Sequence, residues 1–385
     1  MKQNTIKMSC IALAISSVLN AQYAVAAEEQ NNSGDKQPVL ERIEVTARKT
    51  VESLQNVPVA VTSVSATELA ENGISVMTEI QQFSPNTTLQ SSRGTNSTLT
   101  AFIRGVGQED PLWGYEPGVG IYIDDVYIAR PQGAVLDILD VQRIEVLRGP
   151  QGTLYGKNTI GGAIKYVTKK MSGDGELSLK GTVGSYGQKD AKIAGQLPIV
   201  DDKLYVGFAF ASLNRDGFGE FKTSALDGQD TENYNKDVMA GRLSVEYTPT
   251  DDLFMRFTYD KTQDDSNSKG GYRLLPSLLT DAPVPDSKYD SYTSMPTWNK
   301  VETEGWSATV EYNLNENWSV KSVTAKREGE SLTNIDFDNT SLRIFDVPAI
   351  YEDEQFSQEF QVNYVGDNLN LVSGIYYFDG DSCGV

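Results

Sequence analysis

The sequence predicts a small α+β domain followed by the antiparallel strands of a transmembrane β-barrel. Three observations predict it. From Glu176 onward, apolar and polar residues alternate with period two in nine segments. The breaks between those segments segregate into short and long ones, as the turns and loops of an outer-membrane barrel do. The first 26 residues carry the marks of a secretory signal.

Composition narrows the function. The 385 residues suggest two or three domains at about 150 residues each. There are 53 acidic residues and 33 basic ones, a formal charge of −20. Such a surface repels phosphate, which argues against a nucleic-acid partner. Histidine is absent, so His-based triads, His acid–base catalysis and His metal sites are all excluded. The 33 Gly, 19 Tyr and 13 Phe favour many short strands and turns. Of the two cysteines, Cys10 lies in the predicted signal, which leaves only Cys383. One thiol forms neither a disulfide framework nor a zinc cluster.

The elements follow in order. Residues 1–26 are predicted to be a cleaved signal peptide. Lys2 and Lys7 precede a short apolar core, Ile11–Leu19, and Ala24-Val25-Ala26 gives the small-x-small cleavage pattern. No later run of about 18 apolar residues exists, so helical membrane spans are excluded. Residues 27–50 read as a flexible tether, polar from Glu28 to Gln37. Within it Ile43, Val45 and Ala47 alternate with polar residues across Glu41–Arg48, a strand pattern. A lone strand is unstable, so it joins the next domain or adds to a partner's sheet edge.

Residues 51–171 form the mixed domain. Val57–Thr62 reads as a strand. Ser65 caps a short helix with Glu68 completing a capping box, and Gly73 ends it. Thr78–Phe83 is a second short helix, and strands follow at 101–104, 119–124, 143–147 and 163–168. The barrel strands are expected at 176–184, 191–198, 204–213, 239–247, 253–262, 306–314, 318–327, 356–365 and 369–378. Two are clear: Leu253, Met255, Phe257 and Tyr259 share one face, as do Trp306, Ala308, Val310, Tyr312 and Leu314. The breaks at 199–203, 248–252, 315–317 and 366–368 are short, whereas 214–238, 263–305 and 328–355 are long and polar. Only Ser185–Asp190 is short where a long loop is expected.

No catalytic centre emerges. Gly152–Thr159 fails as a phosphate loop, because three residues separate Gly152 from Gly156 and Asn158 follows Lys157. Asp124 and Asp125, adjacent on a predicted strand, point to opposite faces and cannot act as a carboxylate pair. Asp227-Gly228-Gln229-Asp230 does not match a calcium loop. No metal site and no cofactor are expected.

Four motifs carry a resemblance. They are Ile43-Glu44-Val45-Thr46-Ala47; Ala101-Phe102-Ile103-Arg104-Gly105-Val106-Gly107; Gly120-Ile121-Tyr122-Ile123-Asp124-Asp125-Val126-Tyr127; and the stretch from Ile144 through Arg148, Gly149, Pro150, Gly152, Tyr155 and Gly156 to Gly162. Together they resemble the N-terminal portion of TonB-dependent outer-membrane receptors, with a plug domain and an incomplete barrel. The resemblance implies that Glu41, Arg42, Ile43, Glu44, Val45, Thr46, Ala47 and Arg48 bind the periplasmic domain of TonB. It implies that Gly105, Gly149, Pro150, Gly152, Tyr155 and Gly156 belong to the plug signature. Plug arginines Arg104 and Arg148 are then expected to pair with barrel carboxylates Glu359 and Glu311. The loop with Gln108, Trp113 and Tyr115 is expected to touch ligand. The implied function is import of a scarce ligand, a ferric siderophore by default, with iron present only as cargo. Cobalamin, haem or an oligosaccharide are the alternative ligands. The other implied partners are outer-membrane lipid and the barrel-assembly machinery, and the implied location is the outer membrane.

Nine strands are an odd number, and 22 strands at the same spacing need about 500 residues. The chain is therefore expected to be part of a receptor, through incomplete sequence, frameshift or truncation. A passive porin is disfavoured by the plug motifs. A signalling receptor is disfavoured because only about 14 residues, too few for a further folded domain, separate Ala26 from Glu41.

Overall fold

The computed structural model describes residues 43–385 apart from 75, 93–96, 111, 113, 131, 133–139, 223–227 and 279. The signal peptide, Cys10, Glu41, Arg42 and Trp113 lie outside the described residues.

The chain enters through a small hairpin, β1 (Glu44–Val45) against β2 (Glu52–Ser53). The domain that follows is built on a five-stranded sheet in the order β3 (Ala60–Ser65), β9 (Val141–Arg148), β10 (Gly162–Thr168), β7 (Val119–Ile123), β8 (Val126–Ile128). Its β10–β7 pair is parallel and the rest are antiparallel. A second sheet joins β4 (Thr87–Ser91), β5 (Leu99–Ile103) and β6 (Val106–Gln108). Helix α1 (Ala66–Glu71) has the capping box read from Ser65 and Glu68. 3-10 segments stand at Leu54–Asn56 and Met77–Gln82, and α2 (Gly152–Tyr155) is one turn long. The core gathers Val64, Leu69, Met77, Ile80, Leu89, Ile103, Ile121, Ile144, Val146 and Ile164 between the sheets and the helices.

The second sheet system has nine antiparallel strands in chain order. They are β11 (Glu176–Val183), β12 (Lys189–Val200), β13 (Leu204–Arg215), β16 (Lys236–Thr250), β17 (Leu253–Asp264), β18 (Lys300–Asn313), β19 (Trp318–Asp336), β20 (Asp346–Val365) and β21 (Asn370–Gly384). Two short strands, β14 (Gly219–Glu220) and β15 (Glu232–Asn233), sit in the loop between β13 and β16. All nine expected strands are present, but β18, β19 and β20 reach well into the expected loops. The buried face of these extensions mixes Val301, Ala349 and Tyr351 with Ser331 and Thr333, and Pro348 interrupts β20, so no continuous apolar stripe marks them in the sequence. Backbone pairing from Ser331–Tyr351 to Asp336–Asp346 forms them all the same.

One face of the wall is apolar and outward. Cross-strand partners on it include Leu243–Tyr259, Tyr259–Trp306, Phe257–Ala308 and Phe360–Ile375. Phe257 is 49% and Ile375 76% exposed, as lipid-facing residues are when lipid is left out of the surface. Aromatics border this band. Trp318 packs on Tyr364 at the short-turn end, and Trp306 stacks near Phe257 toward the other. The long loops interlock through asparagines: Asn233 bonds Tyr289 and Gly270, and Asn339 accepts from Gly271. In outer-membrane barrels the end with short turns is the periplasmic one.

Candidate functional site: the box hairpin between plug and wall

The hairpin that carries the box-like motif is folded back into the domain. The expected flexible tether therefore does not extend over residues 43–50. Val45 and Ala47 are fully buried against Val57, Tyr122, Leu147, Tyr155 and Ala163. Burying these two apolar side chains is worth more than leaving them in water, so the alternation in the sequence finds its partner inside the protein. Leu54 N donates to Ile43 O at 2.9 Å, and Lys49 N to Thr46 O at 3.0 Å, closing a turn with Lys49 at φ 66°.

Polar groups grip the backbone at Thr46. Thr46 N donates to Glu145 Oε1 at 2.9 Å. Lys165 Nζ donates to Thr46 O at 3.1 Å and to Thr46 Oγ1 at 2.9 Å. The Tyr155 hydroxyl donates to Thr46 O and to Ala47 O at 3.2 and 3.0 Å. Glu145 and Lys165 are directly opposed across β9 and β10 and almost wholly buried. A charge in each of two apolar strands was the available sequence signal for this grip, and it was missed.

Lys49 then ties the hairpin to both domains. Its Nζ lies 3.2 Å from Glu359 on wall strand β20 and 3.7 Å from Asp125 in the plug-like domain, over the Tyr155 ring at 4.7 Å. Asp125 also meets Lys165 at 3.1 Å and Lys321 of β19 at 3.0 Å. Lys321 continues to Glu311 of β18 at 2.9 Å, which Lys170 approaches at 3.3 Å. Burial alone would push the Asp125 carboxyl up; Lys165, Lys321 and Lys49 outweigh it and hold the group well below the usual carboxylate range. A cavity of about 700 Å³ borders this cluster, lined by Thr46, Lys49, Asp125, Lys165, Glu311 and Lys321 among others.

Asp124 and Asp125 are the two central residues of the β7–β8 turn, both at positive φ (47° and 71°). They are not on a strand as expected, though they still do not act as a pair. Asp125 takes the lysines, while Asp124 accepts from Thr168 N at 2.8 Å and faces Arg256 of β17 at 3.5 Å. Left-handed aspartates in a two-residue turn cost conformational energy, which these ion pairs offset.

The expected arginine anchors are corrected. Glu359 and Glu311 do bind the inner domain and its exit segment, but their partners are Lys49 and Lys170. Arg148 Nη1 reaches Pro85 O at 3.4 Å, and exposed Arg104 lies against Gly149. The reason is position. Arg104 shares the tight β5–β6 turn with Gly105, and Arg148 ends β9 three residues beyond the Glu145 grip. In the signature, Gly105, Gly149 and Gly156 take positive φ, and Gly152 begins α2. Pro150 is exposed, whereas Tyr155 is buried at the end of α2 and holds the hairpin.

At the opposite end, Gln108 and Tyr115 share a small crevice with Asp110 and Arg130. A larger crevice of about 90 Å³ lies between the domain and the wall, lined by Glu116, Arg130, Lys157, Arg327, Asp353 and Gln355 among others. Three carboxylates, Asp336, Asp338 and Asp346, approach one another in the loops. Several of their oxygens accept from Ser294, Asn339, Thr340 and Phe345.

Comparison with known proteins agrees with this architecture. Residues 53–163 match the model of the TonB-dependent Receptor Plug Domain. The pesticin receptor of Yersinia enterocolitica is 35% identical over 167 residues, 42% of this chain and 24% of that protein. The ferric yersiniabactin uptake receptor of Yersinia pestis superposes with a TM-score of 0.71 at 24% identity, over 84% of this chain and 49% of that one. The ferripyoverdine receptor of Pseudomonas aeruginosa gives 0.68 at 16% identity, over 88% and 45%. The chain thus spans about a quarter of that curated relative and about half of the solved receptors. Residues 53–163 thus match the TonB-dependent receptor plug domain, and the chain has the fold of that plug with part of the receptors' barrel.

Proposed function

We propose that this chain is the signal peptide (1–26), TonB-binding segment (41–48), plug (51–171) and first barrel strands (176–385) of an outer-membrane importer energised through TonB. The observation that carries the reading is the hairpin at 43–54. It is a short strand pair seated by buried Val45 and Ala47, by side-chain bonds to the Thr46 backbone and by the Lys49 ion pairs, at the short-turn end of the wall. A strand so held can be exchanged onto another protein's sheet edge, and main-chain pairing then transmits force almost independently of side chains. Undocking removes Lys49 from Asp125 and Glu359 and frees Thr46 from Glu145 and Lys165. The box and the plug–wall contacts are thereby parts of one ionic cluster.

The ligand is proposed to be a ferric siderophore. Two of the solved receptors named above are described with such ligands, and the apical crevices mix aromatic, cationic and anionic groups suited to a polar chelate. Cobalamin, haem and oligosaccharides are the alternatives. Outer-membrane lipid around the apolar band and the barrel-assembly machinery complete the proposed partners. The test is iron-limited growth of a receptor-deletion strain carrying the full-length gene, with a panel of ferric siderophores, haem and cobalamin. Rescue by one siderophore that also needs TonB supports the reading. Rescue independent of TonB would refute it.

A further inference from the structure

The segment by which the chain leaves the plug, Thr168–Ser172, lies in a socket of the wall. Glu246 of β16 and Arg256 of β17 are directly opposed, and Arg256 Nε donates to Glu246 Oε1 at 2.7 Å. Glu246 is 2% exposed and the Arg256 side chain 10%. The other atoms of this pair serve the exit segment. Arg256 Nη1 donates to Thr168 Oγ1 at 3.0 Å and Nη2 to Lys169 O at 3.4 Å, while Glu246 Oε2 accepts from Met171 N at 2.9 Å. Neighbouring strands extend the grip. Gln196 of β12 donates to Ser172 O at 2.8 Å, and Lys170 lies 3.3 Å from Glu311 of β18. The Met171 side chain crosses β13 at Gly207, where a Cβ would collide with Met171 Cε. Five consecutive strands of the wall thus hold five consecutive residues.

The hairpin is seated differently. It rests on buried Val45 and Ala47, on the bonds at Thr46 and on the Lys49 bridge to Glu359. Its release leaves Glu145 with Arg143, and Lys165 with Asp125. Withdrawal of the exit segment would instead leave N–H groups of Arg256 and an oxygen of Glu246 without partners at a buried position, which costs more. The two ends are close. Lys165, which holds Thr46, and Thr168, which enters the socket, are three residues apart on β10, about 10 Å. The cavity of about 700 Å³ lies between them, lined by Thr46 and Lys49 from the hairpin and by Lys169, Lys170 and Ser172 from the exit segment.

We propose that Glu246 and Arg256 make the exit segment the stationary end of the plug, so that release starts at the hairpin and stops short of residues 168–172. The proposal rests on the import reading, in which load enters at the hairpin. The inner domain then peels from one side. The cavity between hairpin and exit segment widens, and the domain stays in the wall.

The test needs neither ligand nor TonB, so its failure is distinct from failure of the import reading. Amide hydrogen exchange is followed on the purified full-length protein in detergent, at rising urea below global unfolding, with β4 and β5 as the reference. In the wild type, the amides of Thr46 and Leu54 should open at lower urea than those of Thr168 and Met171. Opening of Thr168 and Met171 with or before the hairpin would overturn the proposal. Glu246→Leu/Arg256→Leu removes both charges together, which a buried pair tolerates. It should accelerate exchange at Met171 about thirtyfold, the size of losing one hydrogen bond to a charged group. Thr168, whose amide bonds Asp124 and not the socket, should accelerate with it, while the hairpin and the reference stay unchanged. Faster exchange at Met171 alone would mark a lost acceptor without an anchor and would overturn the proposal, as would no change at either. If the double variant also loses protection in β4 and β5, the decision passes to Gly207→Val, which displaces Met171 and keeps both charges. Unchanged exchange at Thr168 and Met171 in that variant would overturn it.

Discussion

Lys49→Gln should undock the box hairpin. Lys49 is about 3% exposed and serves two carboxylates. When it is neutralised, Asp125 retains Lys165 and Lys321. Glu359 is left without a cation and keeps the hydrogen bond from Gln361 Nε2 at 2.6 Å. The loss is thus that of one buried ion partner, at the lower end of the 3–5 kcal/mol typical of breaking such a pair. About 3 kcal/mol shifts the docking equilibrium roughly hundredfold. The amides of Thr46 and Leu54, bonded to Glu145 and Ile43, report docking directly. Their exchange should accelerate by about that factor, while β9 and β10 keep their protection. The double variant Lys49→Gln/Glu359→Gln removes the orphaned charge and should recover much of the loss. If exchange at Thr46 and Leu54 is unchanged in Lys49→Gln, the bridge does not hold the hairpin. If the double variant is no better than the single one, the cost is not electrostatic.

Three further outcomes follow from the same cluster. A double-mutant cycle between Lys49 and Glu359 should show coupling of ~0.5–3 kcal/mol, and one between Arg148 and Glu359 should be additive; coupling in the second would restore the arginine anchor. Because Asp125 is held well below the usual carboxylate range, its contribution is present above about pH 4 and is lost only as the pH falls toward its lowered value. Hairpin docking, corrected for intrinsic exchange, should accordingly be flat from about pH 8 to about pH 5, and loosening near pH 6 would refute the assignment. Val45→Pro removes a main-chain donor from the box strand, so it should abolish capture of the periplasmic domain of TonB while sparing ligand binding at the cell surface. Normal TonB capture would show that recognition does not use this strand.

The sequence by itself determined what depends on local pattern. Period-two alternation with segregated turns located all nine wall strands, and Ser65 with Glu68 located α1, because both signals arise within a few residues of chain. The signature glycines were singled out only through the resemblance; three of them, Gly105, Gly149 and Gly156, take the positive φ that favours glycine. The strand extensions beyond Glu330 and Glu352 were not legible, since their buried face mixes Val301, Ala349 and Tyr351 with Ser331 and Thr333, and only cross-strand pairing aligns them. Tertiary structure alone decided the partners. Arg148 and Lys49 are both cations of the inner domain, and nothing in their neighbours says which one meets Glu359. That depends on where the 43–54 hairpin lodges relative to β20, residues about 300 positions apart in the chain. The folding back of Val45 and Ala47 was decided the same way. An alternating strand next to a polar tether fits an internal sheet and a foreign one equally well. The pocket formed by Tyr122, Tyr155 and Leu147, and the opposed charges of Glu145 and Lys165, exist only once the plug has folded.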